Sequence, residues 1–243
     1  FKALEAGFTS IMFDGSHYDI EENVQKTKEI VAIANSLGAT VEANNCTYKF
    51  DNSSYLSSAI IENSTIEALN GTTIGMSFNN KTGNYIFSNV VFKHRTELKN
   101  HNNFYSATFY KCDFQNGVAT DLTVDGTAET ITDDNHLKFI DCRFNNIGTQ
   151  FGKYSPFAYS VGKSLLTVEN CEFNFTEKTQ QILYGNSQAN NGSKVIFKNC
   201  TFNNWHDNMY AYIAYGNLNR DLDLTIVFEN CTGVREDLML KQD

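Results

Sequence analysis

One short word recurs along the chain and narrows the possible folds more than any other feature. It reads apolar, any, apolar, any, Asn, Cys, any, aromatic. Clear copies are Phe139-Ile140-Asp141-Cys142-Arg143-Phe144, Val168-Glu169-Asn170-Cys171-Glu172-Phe173, Phe197-Lys198-Asn199-Cys200-Thr201-Phe202, Phe228-Glu229-Asn230-Cys231 and Phe109-Tyr110-Lys111-Cys112-Asp113-Phe114. Weaker copies lie upstream, with Val90, Ser64 and Cys46 at the Cys position. The anchors 46, 64, 90, 112, 142, 171, 200 and 231 are separated by 18, 26, 22, 30, 29, 29 and 31 residues.

The word has a local physical meaning. Inward side chains alternate along a strand up to Phe or Val, two successive residues then break the alternation, and inward pointing resumes at Cys. The residue before the anchor is Asn in six of eight copies, and Lys111 and Asp141 in the others. Asn tolerates the left-handed conformation that a one-residue bend needs. The word therefore predicts strand, sharp bend, strand. Long repeats carry a further β-like piece, as in Phe157–Gly162, Ile182–Gly185 and Tyr212–Gly216.

Repetition every 18–31 residues predicts a mainly β chain: a single-stranded right-handed parallel β-helix of about eight coils over residues 44–243. Stacked coils would place an amide ladder of bend Asn residues inside, with a thiol ladder and a column of Phe rings. The repeat over residues 41–236 resembles the pectin-lyase-like superfamily of right-handed parallel β-helices. That resemblance implies an extracellular or cell-surface location, although no basic n-region followed by an apolar run is readable after Phe1.

All six Cys share one repeat phase. Val90 and Ser64 at that phase suggest that volume is what the site keeps, so small buried reduced thiols are one reading. Disulfides between neighbouring coils are the other. No Cys-x-x-Cys pair points to zinc or redox chemistry.

Residues 1–43 have a different texture. Phe8–Phe13 is a short apolar run ending in the turn Asp14-Gly15-Ser16-His17. Glu21 and Glu22 open a helix whose stripe is Val24, Ile30, Val31, Ile33 and Ala34, and Leu37-Gly38 closes it. A strand returns at 39–43. The words Ala6–Met12, Phe13–His17, Glu21–Asn23, Thr27–Glu29 and Val41–Ala43 resemble class II, zinc-dependent ketose-bisphosphate aldolases. The resemblance implies a place near the metal for Asp14. The family's next carboxylate is absent, since position 44 is Asn, and so are its upstream His-x-Asp-His word, its later His ligands and its phosphate loops. Zinc catalysis needs about three protein ligands held together, which this segment does not supply. We therefore expect no cofactor, a division into 1–43 and 44–243, and a helix that caps the open end of the first coil.

Composition removes two partner classes. A net charge of -9 and a pI of about 5.0 argue against nucleic acid, which needs clustered Lys and Arg. No run of eighteen apolar residues exists to span a membrane as a helix.

Candidate chemistry is sparse. Asp133-Asp134 followed by His136, and His206-Asp207, could supply acid–base groups for a polysaccharide lyase or glycosidase. Trp205, Tyr210, Tyr212, Tyr215 and Tyr184 could build an aromatic surface for sugars. Sequons occur at several Asn, with Asn45, Asn63, Asn199 and Asn230 on the bend itself, where they would make poor glycan acceptors. Three readings follow: a non-catalytic surface, adhesin-like or carbohydrate-binding protein whose partner is a polysaccharide or cell-surface glycan, a lyase or glycosidase, and an aldolase-family member.

Overall fold

In the computed structural model the described residues are 10–14, 24–36, 40–50, 54–56, 58–69, 71–78, 83–100, 106–121, 137–147, 157–159, 165–175, 181–186, 191–207, 210–215, 223–238 and 240–242. They are mainly β, with almost no helix, and all their strand pairs are parallel. They form three sheets of nine, eight and seven strands. Sheet A holds the strands before each bend, such as Leu137–Ile140, Leu165–Glu169 and Asn191–Lys198. Sheet B holds those after it, such as Arg143–Ile147, Glu172–Phe175 and Thr201–Asn203. Sheet C holds the third piece of each circuit, such as Phe157–Tyr159, Gln181–Asn186 and Tyr210–Tyr215.

The chain visits the sheets in rotation, and the bend is what turns it from A to B. All eight residues before the anchors have positive φ: Asn45, Asn63, Asn89, Lys111, Asp141, Asn170, Asn199 and Asn230 lie between 48° and 55°. Pairing continues through the corner. Asp141 N–H donates to Glu169 O at 2.9 Å, while Arg143 N–H donates to Cys112 O on the other side at 2.9 Å. A bend that keeps both donors paired costs little beyond the left-handed residue itself.

Inside, the aromatic column takes the form of two parallel stacks. Phe92, Phe114, Phe144, Phe173 and Phe202 stack with centroids 4.5, 5.1, 4.7 and 4.8 Å apart. Phe87, Phe109 and Phe139 stack at 4.8 Å per step from the sheet A side. The two stacks meet at tilted or edge-on angles, the favoured geometry for aromatic quadrupoles. Each fully buried Phe stabilises by roughly 1.5–3 kcal/mol relative to exposure.

The thiols form the expected ladder and are free, which decides between packing and disulfides for these residues. Each lies within hydrogen-bonding reach of backbone carbonyls. Cys142 Sγ reaches Ile140 O at 3.3 Å and Phe109 O at 3.4 Å, and Cys171 repeats this with Glu169 O at 3.2 Å and Phe139 O at 3.5 Å. Burial pushes the Cys112 and Cys171 thiols up from their ordinary value. Ser64 takes the same role, with its hydroxyl donating to Glu62 O at 2.6 Å.

One expectation about the interior is corrected. The bend amides do form a ladder, but on the outside. Asn89 Nδ2 donates to Asn63 Oδ1 at 2.8 Å, Asn170 to Asp141 at 3.1 Å and Asn199 to Asn170 at 3.1 Å, while Asn63 donates to Asn44, the residue before the Asn45 bend, at 3.0 Å, all exposed. Both residues that interrupt the alternation point out, so the interior at the corner belongs to Cys.

The N-terminal segment continues sheet A. Ser10–Asp14 pairs with Thr40–Asn44, which pairs with Ala59–Glu62, so that Val41 and Ala43 stand in register with buried Ala59 and Ile61. A helix, Val24–Ser36, crosses between the first two strands. Its exposed residues include Lys26 and Glu29, while Ala34 is fully buried.

Candidate functional site

The outer face of sheet B carries the longest connected polar array among the described residues. It begins three residues after each Cys anchor, at the position beyond the aromatic. Because strands alternate, that residue points out while the Phe before it points in. Asn145, Asn174 and Asn203 hold this position in successive circuits. Asn203 Nδ2 donates to Asn174 Oδ1, Asn174 Nδ2 to Asn145 Oδ1, and Asn145 Nδ2 to Asp113 Oδ1, each at 2.8 Å. The network spreads sideways: Asn203 also donates to Glu172 Oε1 at 3.1 Å, Arg143 Nε reaches Glu172 Oε2 at 3.2 Å, and Gln115 donates to Asp113 Oδ2 at 3.1 Å. Thr232 and Thr201 meet hydroxyl to hydroxyl at 3.2 Å on the same face.

This arrangement has defined binding chemistry. An amide offers two N–H donors and two acceptor lone pairs. Asn174 spends one of each on its neighbours, which leaves one of each unspent among the described residues. Arg143 and Glu172 pair with each other and Asp113 is held by two amides, leaving a face of fixed hydrogen-bonding groups repeated at the strand interval of about 4.8 Å.

The rim of this face, where sheet B passes to sheet C, holds His94. Its Nδ1 accepts from Ala68 N–H at 3.0 Å, which fixes the Nε2–H tautomer. Glu67 beside it bonds Lys93 Nζ at 2.6 Å, and that bond holds its carboxyl below the usual carboxylate range. Arg95 and Glu97 pair at 3.0 Å on the following strand.

At the far end, Arg235 grips Asp237 with two hydrogen bonds of 2.9 and 2.8 Å and Asp207 with one of 2.9 Å. His206 is half-buried, and its Nε2 has no partner among the described residues.

The residues singled out in the sequence are only partly among the described ones. Asp133, Asp134 and His136 lie outside the described residues. Asp207 is exposed and pairs with Arg235 at 2.9 Å. Trp205 is only 7% exposed and packs on Phe202 at 5.4 Å and Phe228 at 6.3 Å. A stacked sugar needs an open ring face, so Trp205 leaves the candidate aromatic surface and joins the core. Tyr184, Tyr210, Tyr212 and Tyr215 sit on adjacent strands, with Tyr212 opposite Leu183 and Tyr215 opposite Asn186, and their side chains lie outside the described residues. Asp14 ends the edge strand in register with Asn44, and its side chain also lies outside them. Among the described residues no group of three or more His, Cys, Asp or Glu is arranged to hold a metal ion, and no helix is long and apolar enough to cross a membrane.

The second amide column was missed although its signal was present. Asn follows Cys by three residues in three consecutive copies, 29 residues apart, so a template extended by one residue finds it. His94 had no such signal, since nothing local says that its ring meets the backbone of Ala68.

The family model that matches lies at the N-terminal end. Residues 1–58 match the family described as Fructose-bisphosphate aldolase class-II. A 6-phospho-5-dehydro-2-deoxy-D-gluconate aldolase of Shouchella clausii is 58% identical over 41 residues, 17% of this chain and 14% of that protein. Fructose-bisphosphate aldolases of Streptococcus pyogenes serotype M1 and of Thermus caldophilus are each 57% identical over 42 residues, again 17% of this chain and 14% of theirs. The matched stretch thus spans about a seventh of the length of these curated relatives. No solved structure gives a significant match.

Proposed function

We propose that this protein is a non-catalytic, surface-displayed carbohydrate-binding or adhesin-like protein built on a right-handed parallel β-helix of the pectin-lyase-like kind. Rotation of the chain through three parallel sheets supports the β-helix reading, as do the left-handed corner in every circuit and the strong preference of parallel crossovers for the right hand. Residues 1–43 act in this reading as an end cap with aldolase ancestry and no aldolase activity. The partner is a polysaccharide or cell-surface glycan, and the location is extracellular or on the cell surface.

The amide column Asn145–Asn174–Asn203 carries the functional reading. Its hydroxyl-matching groups are held rigid by their own hydrogen bonds, so a ligand loses little of its binding energy to ordering them.

Glycan-array and affinity-gel binding by the purified chain tests this. We expect retention by at least one polysaccharide, weakened by Asn174→Ala with the fold intact by circular dichroism. Absence of binding across neutral and acidic polymers overturns the reading. Release of reducing ends, or ultraviolet absorbance from a new double bond, overturns its non-catalytic part.

A further inference from the structure

The thiol ladder has a property that packing alone does not use. Cys112, Cys142, Cys171, Cys200 and Cys231 stand in one uninterrupted column, because the residues on both sides of them are paired in register. Tyr110, Ile140, Glu169, Lys198 and Glu229 align on the sheet A side, and Asp113, Arg143, Glu172, Thr201 and Thr232 on the sheet B side. Val90 ends the column at one end, and at the other Cys231 is half-exposed.

Spacing decides what such a column can hold. Adjacent parallel strands lie about 4.7–4.9 Å apart. A disulfide brings its Cβ atoms to about 3.8 Å, so in-register neighbours at about 4.8 Å would have to close by about 1 Å to form one. A metal–thiolate bond is about 2.3 Å, and two of them in line span about 4.6 Å. Each gap supplies two sulfurs, too few for tetrahedral zinc or an iron–sulfur cluster. Soft thiolates favour Cu(I). One sulfur already receives a backbone donor of the kind a bound thiolate uses, Cys142 N–H to Cys171 Sγ at 3.3 Å.

We propose that the reduced column binds Cu(I) in linear two-sulfur sites, entered at the exposed end between Cys200 and Cys231. Binding forms two copper–sulfur bonds and releases two thiol protons to solvent. Copper stays in the +1 state, so no electron donor or acceptor is needed. The proposal is independent of glycan binding.

The test uses the full chain, reduced and kept free of oxygen, with Cu(I) supplied as a chelator complex. Copper per chain is measured after desalting, and coordination is read by X-ray absorption at the copper edge. We expect retained copper with two sulfur neighbours in near-linear geometry. The Cys200→Ser, Cys231→Ser double variant should retain less copper, and Cys46→Ser, outside the column, the wild-type amount. Failure of the wild type to hold copper against the chelator overturns the proposal. So does three- or four-fold coordination, or unchanged copper in a folded double variant. Where the double variant fails to fold, the wild-type absorption spectrum decides.

Discussion

The side-chain amide of Asn174 donates to the amide oxygen of Asn145 one circuit away at 2.8 Å, and its own oxygen receives the amide of Asn203 at 2.8 Å. Substituting Asp at 174 keeps the acceptor and removes the donor, setting a carboxylate against the Asn145 oxygen. The folded state then raises that carboxyl's pKa, so the cost is full above it and fades as pH falls and the acid can donate. We expect Asn174→Asp to lose about 1–2 kcal/mol at neutral pH, less below about pH 4, and Asn174→Ala to lose a similar amount at both. Urea midpoints at two pH values, each against wild type, check this.

Gly233 occupies the place that an aromatic holds in earlier copies of the word. Its φ is +74°, and a Cβ there would run into the Phe202 carbonyl, which is backbone and cannot swing away. The Gly233→Ala variant should lose about 2 kcal/mol or more by equilibrium unfolding. A loss under half of that would mean that the terminal circuit relaxes freely.

Phe144 sits mid-stack, 5.1 Å from Phe114 and 4.7 Å from Phe173, with Phe139 edge-on at 5.4 Å. Neighbouring rings are fixed by the sheets, so the hole left by truncation cannot collapse. Phe144→Ala should cost about 3–5 kcal/mol, and Phe144→Leu about half that or less. Denaturant melts of both variants give the comparison.

Asp237 is held below the ordinary carboxyl range by its paired hydrogen bonds from Arg235. Its folded-state pKa is depressed, so its contribution is present above the unfolded value of about 3.9 and is lost as pH falls further. Plotting Tm against pH should show a flatter acid limb for Asp237→Asn than for wild type. Added salt should narrow the difference, since the pair is exposed.

The strand Ser10–Asp14 covers the edge of Thr40–Asn44. Deleting residues 1–37 removes that cover together with the helix and leaves a β edge able to recruit other chains. Light scattering of the deleted protein should show aggregation that the full chain lacks. Unchanged solubility and melting would argue against the end-cap role.

How much could be read from the chain alone follows from where each feature gets its energy. The bend was legible because a left-handed residue is a local demand: Asn170 and Asn199 satisfy it by their own backbone preference, whatever surrounds them. Inward pointing of Phe144 and Cys142 was legible for the same reason, since alternation along a strand needs no knowledge of neighbours. The tertiary structure alone decided that the bend amides face water, that Trp205 fills the space against Phe202 and Phe228, and that His94 accepts from Ala68 across 26 residues. These depend on which circuit stacks against which and on the room left between them, and a sequence carries that information only through the sum of contacts it makes once folded.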